Sequence, residues 1–333
     1  DDDVDDDDDQ EAGPQEGAEE GSFQGPRDQQ RRRHGSGTLT YRADDPRGRN
    51  KYAGEFRHGR REGKGRLTWK NGSEYRGEWL GDRMHGHGVL TMPSGLRYSG
   101  DWKCDCFHGS GSLVWPSGRR YDGAWAANRQ HGMGILVYEA TDRRQREVYS
   151  GEWALGQRHG QGMMRWRGGS FYQGGWLQGK RCGYGEQSFE GGSSFCGQWR
   201  NGKRNGPGRK MTSISTTFVA SWVNDKKEGL SAYLFPHGRV EHQFWASGRI
   251  VPSHPLPPNV QRLLVLCIEA VAAHAPVRNA VIESLGTPHQ ALPSDVIGHL
   301  IWVWNHLIVA RQRSVSLWER ISQKYAELSA PYL

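Results

Sequence analysis

Long aliphatic runs are missing from this 333-residue chain, in which hydrophobic residues make up only 35%. No stretch reaches the roughly 18–20 apolar residues that a membrane span needs. The nearest, residues 296–310, is interrupted by His299, Asn305 and His306. Five cysteines (Cys104, Cys106, Cys182, Cys196 and Cys267) are too few and too irregularly spaced for a disulfide framework. Catalytic signatures are lacking as well: no P-loop, no Ser-centred elbow and no kinase motif occurs. These absences describe a soluble intracellular chain that is not an enzyme and takes no cofactor.

Basic residues are scarce at the start. Residues 1–30 carry thirteen acids against one Arg, whereas the remainder carries 43 Lys and Arg against 24 acids. The low hydrophobicity and high charge predict an acidic disordered tail over residues 1–33. Folded back, it would screen the basic remainder.

What the chain has in excess is Gly, 46 residues, and Trp, 14. Both follow one interval. Aromatic residues fall at Tyr52, Tyr75, Tyr98, Tyr121, Tyr149, Tyr172, Phe195 and Phe218, with steps of 23 residues except for one of 28. Four residues after each comes Phe56, Trp79, Trp102, Trp125, Trp153, Trp176, Trp199 or Trp222, and the series ends at Trp245. A small residue stands midway, as Gly77 does between Tyr75 and Trp79. Alternate residues share one strand face, so each unit reads as a β-hairpin. Asn71-Gly72 marks a two-residue turn, replaced elsewhere by Pro93-Ser94-Gly95 and Pro116-Ser117-Gly118. Gly77 leaves a gap into which an aromatic ring can lie flat. Tyr75, Gly77, Trp79, Tyr98, Trp102, Tyr121 and Trp125 are therefore assigned to structure. Leu67/Trp69, Leu90/Met92, Leu113/Trp115, Leu136/Tyr138 and Met164/Trp166 complete the packed face.

Tyr-x-Gly-x-Trp followed by His-Gly-x-Gly at this step resembles the MORN repeat over residues 34–250. The resemblance implies a mainly β fold: an elongated, single-layer antiparallel meander of about nine hairpins, used as a scaffold. Five extra residues in two units, near Ala43–Arg47 and Thr141–Gln145, predict projecting loops. The last two units decay, with Ala220 and Gln243 in place of Gly, as terminal repeats do.

The turn after each Trp carries a basic column: Arg60 and Arg61, Arg83, Arg129, Arg158, Lys180 and Arg181, Lys203 and Arg204, Lys226 and Lys227. Read as a ridge along one edge, it offers Arg61, Arg83, Arg129, Arg158, Arg181, Arg204 and Lys227 to acidic protein tails or phosphoinositides. It reads equally as a solvated edge that discourages sheet pairing. Nucleic acid is not expected, because the aromatics are committed to packing. His34, His85, His108, His131 and His159 recur before Gly as turn residues. At about 10 Å apart they cannot share a metal whose bonds are about 2 Å. Cys104, Cys106 and His108 lack a fourth ligand, so no metal is assigned.

Beyond a Pro-rich linker at 251–258, apolar spacing turns helical over 259–333. One helix of this segment is apolar nearly all round, and Ile297, Ile301, Trp302, Trp304 and Ile308 are assigned to capping or assembly. Long MORN arrays of this kind resemble radial-spoke head components of cilia and flagella. The resemblance implies a cytoplasmic, axonemal scaffold within a larger complex, whose partners are other scaffold proteins or further MORN-repeat chains. The alternative is a peripheral membrane protein binding acidic phospholipids through the basic column.

Overall fold

The computed structural model describes residues 21–252 apart from Gly238. The expectations for residues 1–20, the rest of the linker and the helical segment, including Ile297, Ile301, Trp302, Trp304 and Ile308, lie outside the described residues. The chain divides into two compact units, residues 1–129 and 130–333. Among the described residues, the first holds nine strands, from Gly21–Gln24 to Arg120–Ala126. Each pairs antiparallel with the next. The second is a meander of the same kind from Arg129–Val137 to Arg249–Val251.

Strands Arg60–Trp69, Glu74–Leu80 and Arg83–Thr91 show how the repeat works. Their register sets Leu67 and Leu90 opposite Tyr75, and Gly65 and Gly88 opposite Gly77. Three glycines side by side leave a trough in the face. The Tyr75 ring lies in it, with 0% of its surface exposed. A Cβ on Gly88 would sit 2.3 Å from the Tyr75 hydroxyl, and one on Gly77 would sit 2.5 Å from the Gly88 Cα. The phenol donates to the Glu78 carbonyl at 3.0 Å, and burial raises its pKa above the ordinary tyrosine value. Two indoles close over the ring edge-to-face: Trp79 at 5.2 Å and Trp102, from the next hairpin, at 5.1 Å. Such pairs contribute about 0.5–1.5 kcal/mol each beyond their burial. The Trp102 indole N–H donates to the Gly88 carbonyl at 3.1 Å, which fixes that indole within its own hairpin while its ring covers Tyr75 of the preceding one. The second unit repeats it: Tyr172 is fully buried between Trp176 and Trp199.

The first Gly of His85-Gly86-His87-Gly88 has a separate purpose. The ladder slips between Gly77 and Glu78, and Gly86 takes φ 55° on the opposite strand. A carboxylate one residue before the aromatic accepts the freed amide in equivalent places: Glu55 from Lys64, Asp101 from Ser110 and Glu152 from Gln161. These bulges twist the strand locally.

Several expectations change. Residues 21–33, placed in the disordered tail, are folded: Gly21–Gln24 pairs with residues 38–41, and a turn at 27–33 is fixed by Asp28. Phe23 supplies the reason, packing at 5.1 Å on Phe56. Asn71-Gly72 and Pro93-Ser94-Gly95 both make three-residue loops, closed by Trp69 N–H to Ser73 O and Met92 N–H to Leu96 O. Of the paired apolar positions, Leu67, Leu90, Leu113, Leu136 and Met164 are buried. Of their companions, Tyr138 is buried, Trp69, Trp115 and Trp166 are half-buried, and Met92 is 38% exposed. The two insertions do not stand free either. Lys70 Nζ donates to the Ala43 carbonyl and Arg167 to that of Glu139, so each loop is bound to the neighbouring turn.

Gly88→Ala must therefore displace Tyr75, and overpacking of this kind costs about 1–3 kcal/mol. Gly118→Ala meets open space at φ 85° and should show only left-handed backbone strain, about 1–2 kcal/mol. Urea unfolding with tryptophan fluorescence checks the pair; only Gly88→Ala should also shift the emission, because it disturbs the indoles of the clamp.

Candidate partner-binding surface

Strand alternation divides the basic column in two. The position paired with each Trp points to the aromatic face, and the position before it points away. Trp176 pairs with Arg181 and Leu177 with Lys180; Trp199 pairs with Arg204 and Arg200 with Lys203. Arg61, Arg158, Arg181, Arg204 and Lys227 are inward, and Arg83 and Arg129 are outward and exposed. The expected single ridge therefore does not exist, because neighbouring residues on a strand face opposite sides.

The inward cations are packing groups. Each lies over the indole of the following strand: Arg61 on Trp79 at 4.2 Å, Arg158 on Trp176 at 4.4 Å, Arg181 on Trp199 at 4.1 Å and Arg204 on Trp222 at 4.0 Å. Lys227 Nζ lies 3.9 Å from the Trp245 ring centre. Their N–H groups satisfy carbonyls of the next turn, as from Arg158 to Gly179 at 2.9 Å and from Arg181 to Gly202 at 2.8 Å. Burial lowers the pKa of Arg158, Arg181 and Lys227 from the ordinary values. Only Arg61 and Arg204 have a carboxylate among the described residues, Asp82 at 3.0 Å and Asp225 at 2.8 Å. Desolvated cation–π contacts of this kind reach about 2 kcal/mol. Elsewhere the same inward position holds Met84, Phe107 and Gln130, and Phe107 stacks on Tyr98 at 3.8 Å.

The outward set is Arg60, Arg83, Arg129, Lys180, Lys203, Lys226 and Arg249, all exposed. Lys180, Lys203 and Lys226 were legible in the sequence, and the period-2 alternation was the signal that separates them from Arg181, Arg204 and Lys227. Arg249 ends the series, one step past the last repeat that reads clearly.

His85, His108, His131 and His159 lie in strands and not in turns. Among the described residues, one group of potential metal ligands converges: Asp28, His34 and His58, within 4.8 Å of one another. The Arg32 guanidinium already occupies the middle, 2.9 Å from both the Asp28 carboxylate and His58 Nδ1. A metal would have to displace a cation that is part of the turn. Cys104, Cys106 and His108 do not converge in this way.

The two inserted loops share one internal device. Asp45 accepts the amide and guanidinium of Arg49, and Asp142 those of Arg146, the latter pair at 2.9 and 2.6 Å. Each Arg in turn lies 4.1 Å over a Tyr ring, Tyr41 and Tyr138. The Arg146 hydrogen bonds hold the Asp142 carboxyl down to about 2, against the opposing effect of burial.

Arg181→Ala removes a stacked cation and leaves the Gly202 carbonyl without its guanidinium donor. It should cost about 1–3 kcal/mol, whereas Lys180→Ala should stay within about 0.5 kcal/mol of the parent in the same unfolding experiment. Asp142 gives a pH-dependent counterpart. A depressed carboxylate adds stability above its ordinary value of 3.8 and loses it as pH falls to about 2. The stability gap between the parent and Asp142→Asn should be full above about pH 4 and close towards about pH 2; acid-titrated unfolding curves of the two proteins check it.

No curated protein matches the chain. Solved structures with some likeness include TCP domains. One is the SAS-4 (dCPAP) TCP domain of Drosophila melanogaster in complex with a proline-rich motif of Ana2, at 10% identity and TM-score 0.25, covering 55% of this chain and 84% of that one. Two are TCP10 domains of Danio rerio CPAP, both at 11% identity. The E1021V mutant has TM-score 0.28, covering 66% of this chain and 95% of that one. The wild-type domain has TM-score 0.24, covering 67% of this chain and 96% of that one. Overlap this low carries no functional argument. The MORN repeat matches at residues 32–45, 52–74, 75–97, 98–119, 121–143, 149–171, 172–194 and 195–211. Half of the sequence is matched, and the Tyr-Gly-Trp clamp recurs through the matched hairpins: the chain belongs to the MORN repeat family.

Proposed function

We propose that this MORN-repeat protein is a non-catalytic scaffold of ciliary or flagellar axonemes, similar to radial-spoke head components, which docks partner proteins on the outward side of its turns. One observation carries the scaffold reading. The repeated aromatics, most of the small residues and the inward cations are spent on holding a thin sheet together, so the outward cations and the two bound loops are the chemistry left for partners. The axonemal part rests on the resemblance of a long array with two five-residue insertions to that subgroup. The partners it implies are other scaffold proteins or further MORN-repeat chains. Their acidic segments would meet the cations at long range and gain in on-rate, with the salt dependence of exposed charges.

Expression of the tagged full chain in ciliated cells tests this directly. Retention in detergent-extracted axonemes is the expected result. Complete release with the detergent-soluble fraction would sink the axonemal reading.

A further inference from the structure

We infer that the outward turn edge of residues 177–249 is a docking site for an acidic amphipathic α-helix whose carboxylates recur every seven residues; this rests on the scaffold reading above. Four successive turns present a cross-strand pair on the face away from the aromatics: Leu177 with Lys180, Arg200 with Lys203, Val223 with Lys226, and Ala246 with Arg249. Each pair is a rung that carries an exposed cation. Leu177 and Val223 are 50% and 48% exposed, so two alternate rungs also offer an apolar contact.

These cations are unopposed. Among the described residues, none of Lys180, Arg200, Lys203, Lys226 and Arg249 has an ion pair. The acids of the same turns are directed elsewhere: Asp225 holds the inward Arg204, and Glu228 accepts the Ser247 amide at 2.8 Å. In residues 57–106 the corresponding rungs are Arg57 with Arg60, Leu80 with Arg83 and Lys103 with Cys106, the last carrying its cation on the other strand.

The spacing selects the occupant. Rungs two strands apart repeat at about 9.6 Å. Seven residues of α-helix advance about 10.5 Å, within about 1 Å of that interval. A helix laid across the strands would bring a carboxylate to each rung. An apolar residue every fourteen positions would reach Leu177 and then Val223. A membrane surface supplies anions but has no reason to prefer that interval.

The experiment uses the full chain and two fluorescein-labelled synthetic helical peptides of equal composition and helicity. One has Glu every seventh residue with Leu beside it, the other Glu every fifth, and both are titrated at low salt by fluorescence anisotropy. The seven-residue peptide should bind at least tenfold tighter. The triple variant Lys180→Glu, Lys203→Glu, Lys226→Glu should lose at least tenfold of that affinity with an unchanged melting temperature, because all three side chains are exposed. Should the variant fail to fold, the peptide comparison on the parent protein decides alone. Equal binding of the two peptides, or no binding of either, overturns the inference. So does capture of acidic phospholipid vesicles with no response to the seven-residue peptide. A protein that stays in extracted axonemes yet shows no spacing preference would lose this inference and keep the scaffold reading.

Discussion

Everything in this sheet depends on a tyrosine ring lying flat over backbone that has no side chains. A single antiparallel layer has no second layer to bury its face against, and a row of leucines on it would remain half wet. The repeat removes the side chains beneath the ring at Gly77 and Gly88, lets Tyr75 reach the backbone, and closes the ring with Trp79 and Trp102. Full burial of an aromatic residue is thereby obtained within one layer. Because one indole of each clamp belongs to the next hairpin, no hairpin completes its own core. This is the nearest-neighbour coupling that makes a repeat array cooperative along its length. Where the pattern decays, the coupling is altered: the Trp222 indole N–H is buried without an acceptor among the described residues, and Trp245 donates to the Ser231 hydroxyl in place of a glycine carbonyl.

The inward cations extend the same solution. A guanidinium is planar, stacks on an indole and still presents N–H groups at its rim. Arg158 and Arg181 use the plane on Trp176 and Trp199 and the rim on the carbonyls of the following turn. A leucine there would cover the indole and leave those carbonyls to water. The high count of basic residues in the repeats is thus partly a packing device.

The architecture was legible because its signal is a period. Strand alternation, the small residue between Tyr and Trp, and a 23-residue step each constrain the same hairpin, and the register places Gly77 between Gly65 and Gly88 as that pattern requires. The site was less legible because it turns on a shift of one residue. Arg181 and Lys180 are adjacent and alike in charge, yet one is stacked under an indole and the other is exposed. Only the pairing with Trp176 separates them, and that pairing depends on the bulge between Gly174 and Gly175. Phe23 was missed for a different reason. One aromatic residue in an acidic stretch is no periodic signal, but it is enough to pair Gly21–Gln24 with its neighbour.

The N-terminal strand also bears on whether the acidic stretch could screen the outward cations. Gly21 pairs with Tyr41, next to the loop at residues 42–48, whereas Gln24 lies further along towards the turn at residues 57–60. The chain therefore enters the first unit at its loop margin. The outward cations Arg60 and Arg83 stand at the opposite margin, a strand's length of about 20–25 Å away. To reach them, an acidic segment would have to cross the face, and the entropic cost of fixing it there would be set against ion pairs worth about 0–1 kcal/mol each at an exposed surface. A preformed acidic helix meets the same cations with its backbone already ordered. The position of Gly21 therefore favours an outside partner over the chain's own acidic stretch at Arg60 and Arg83.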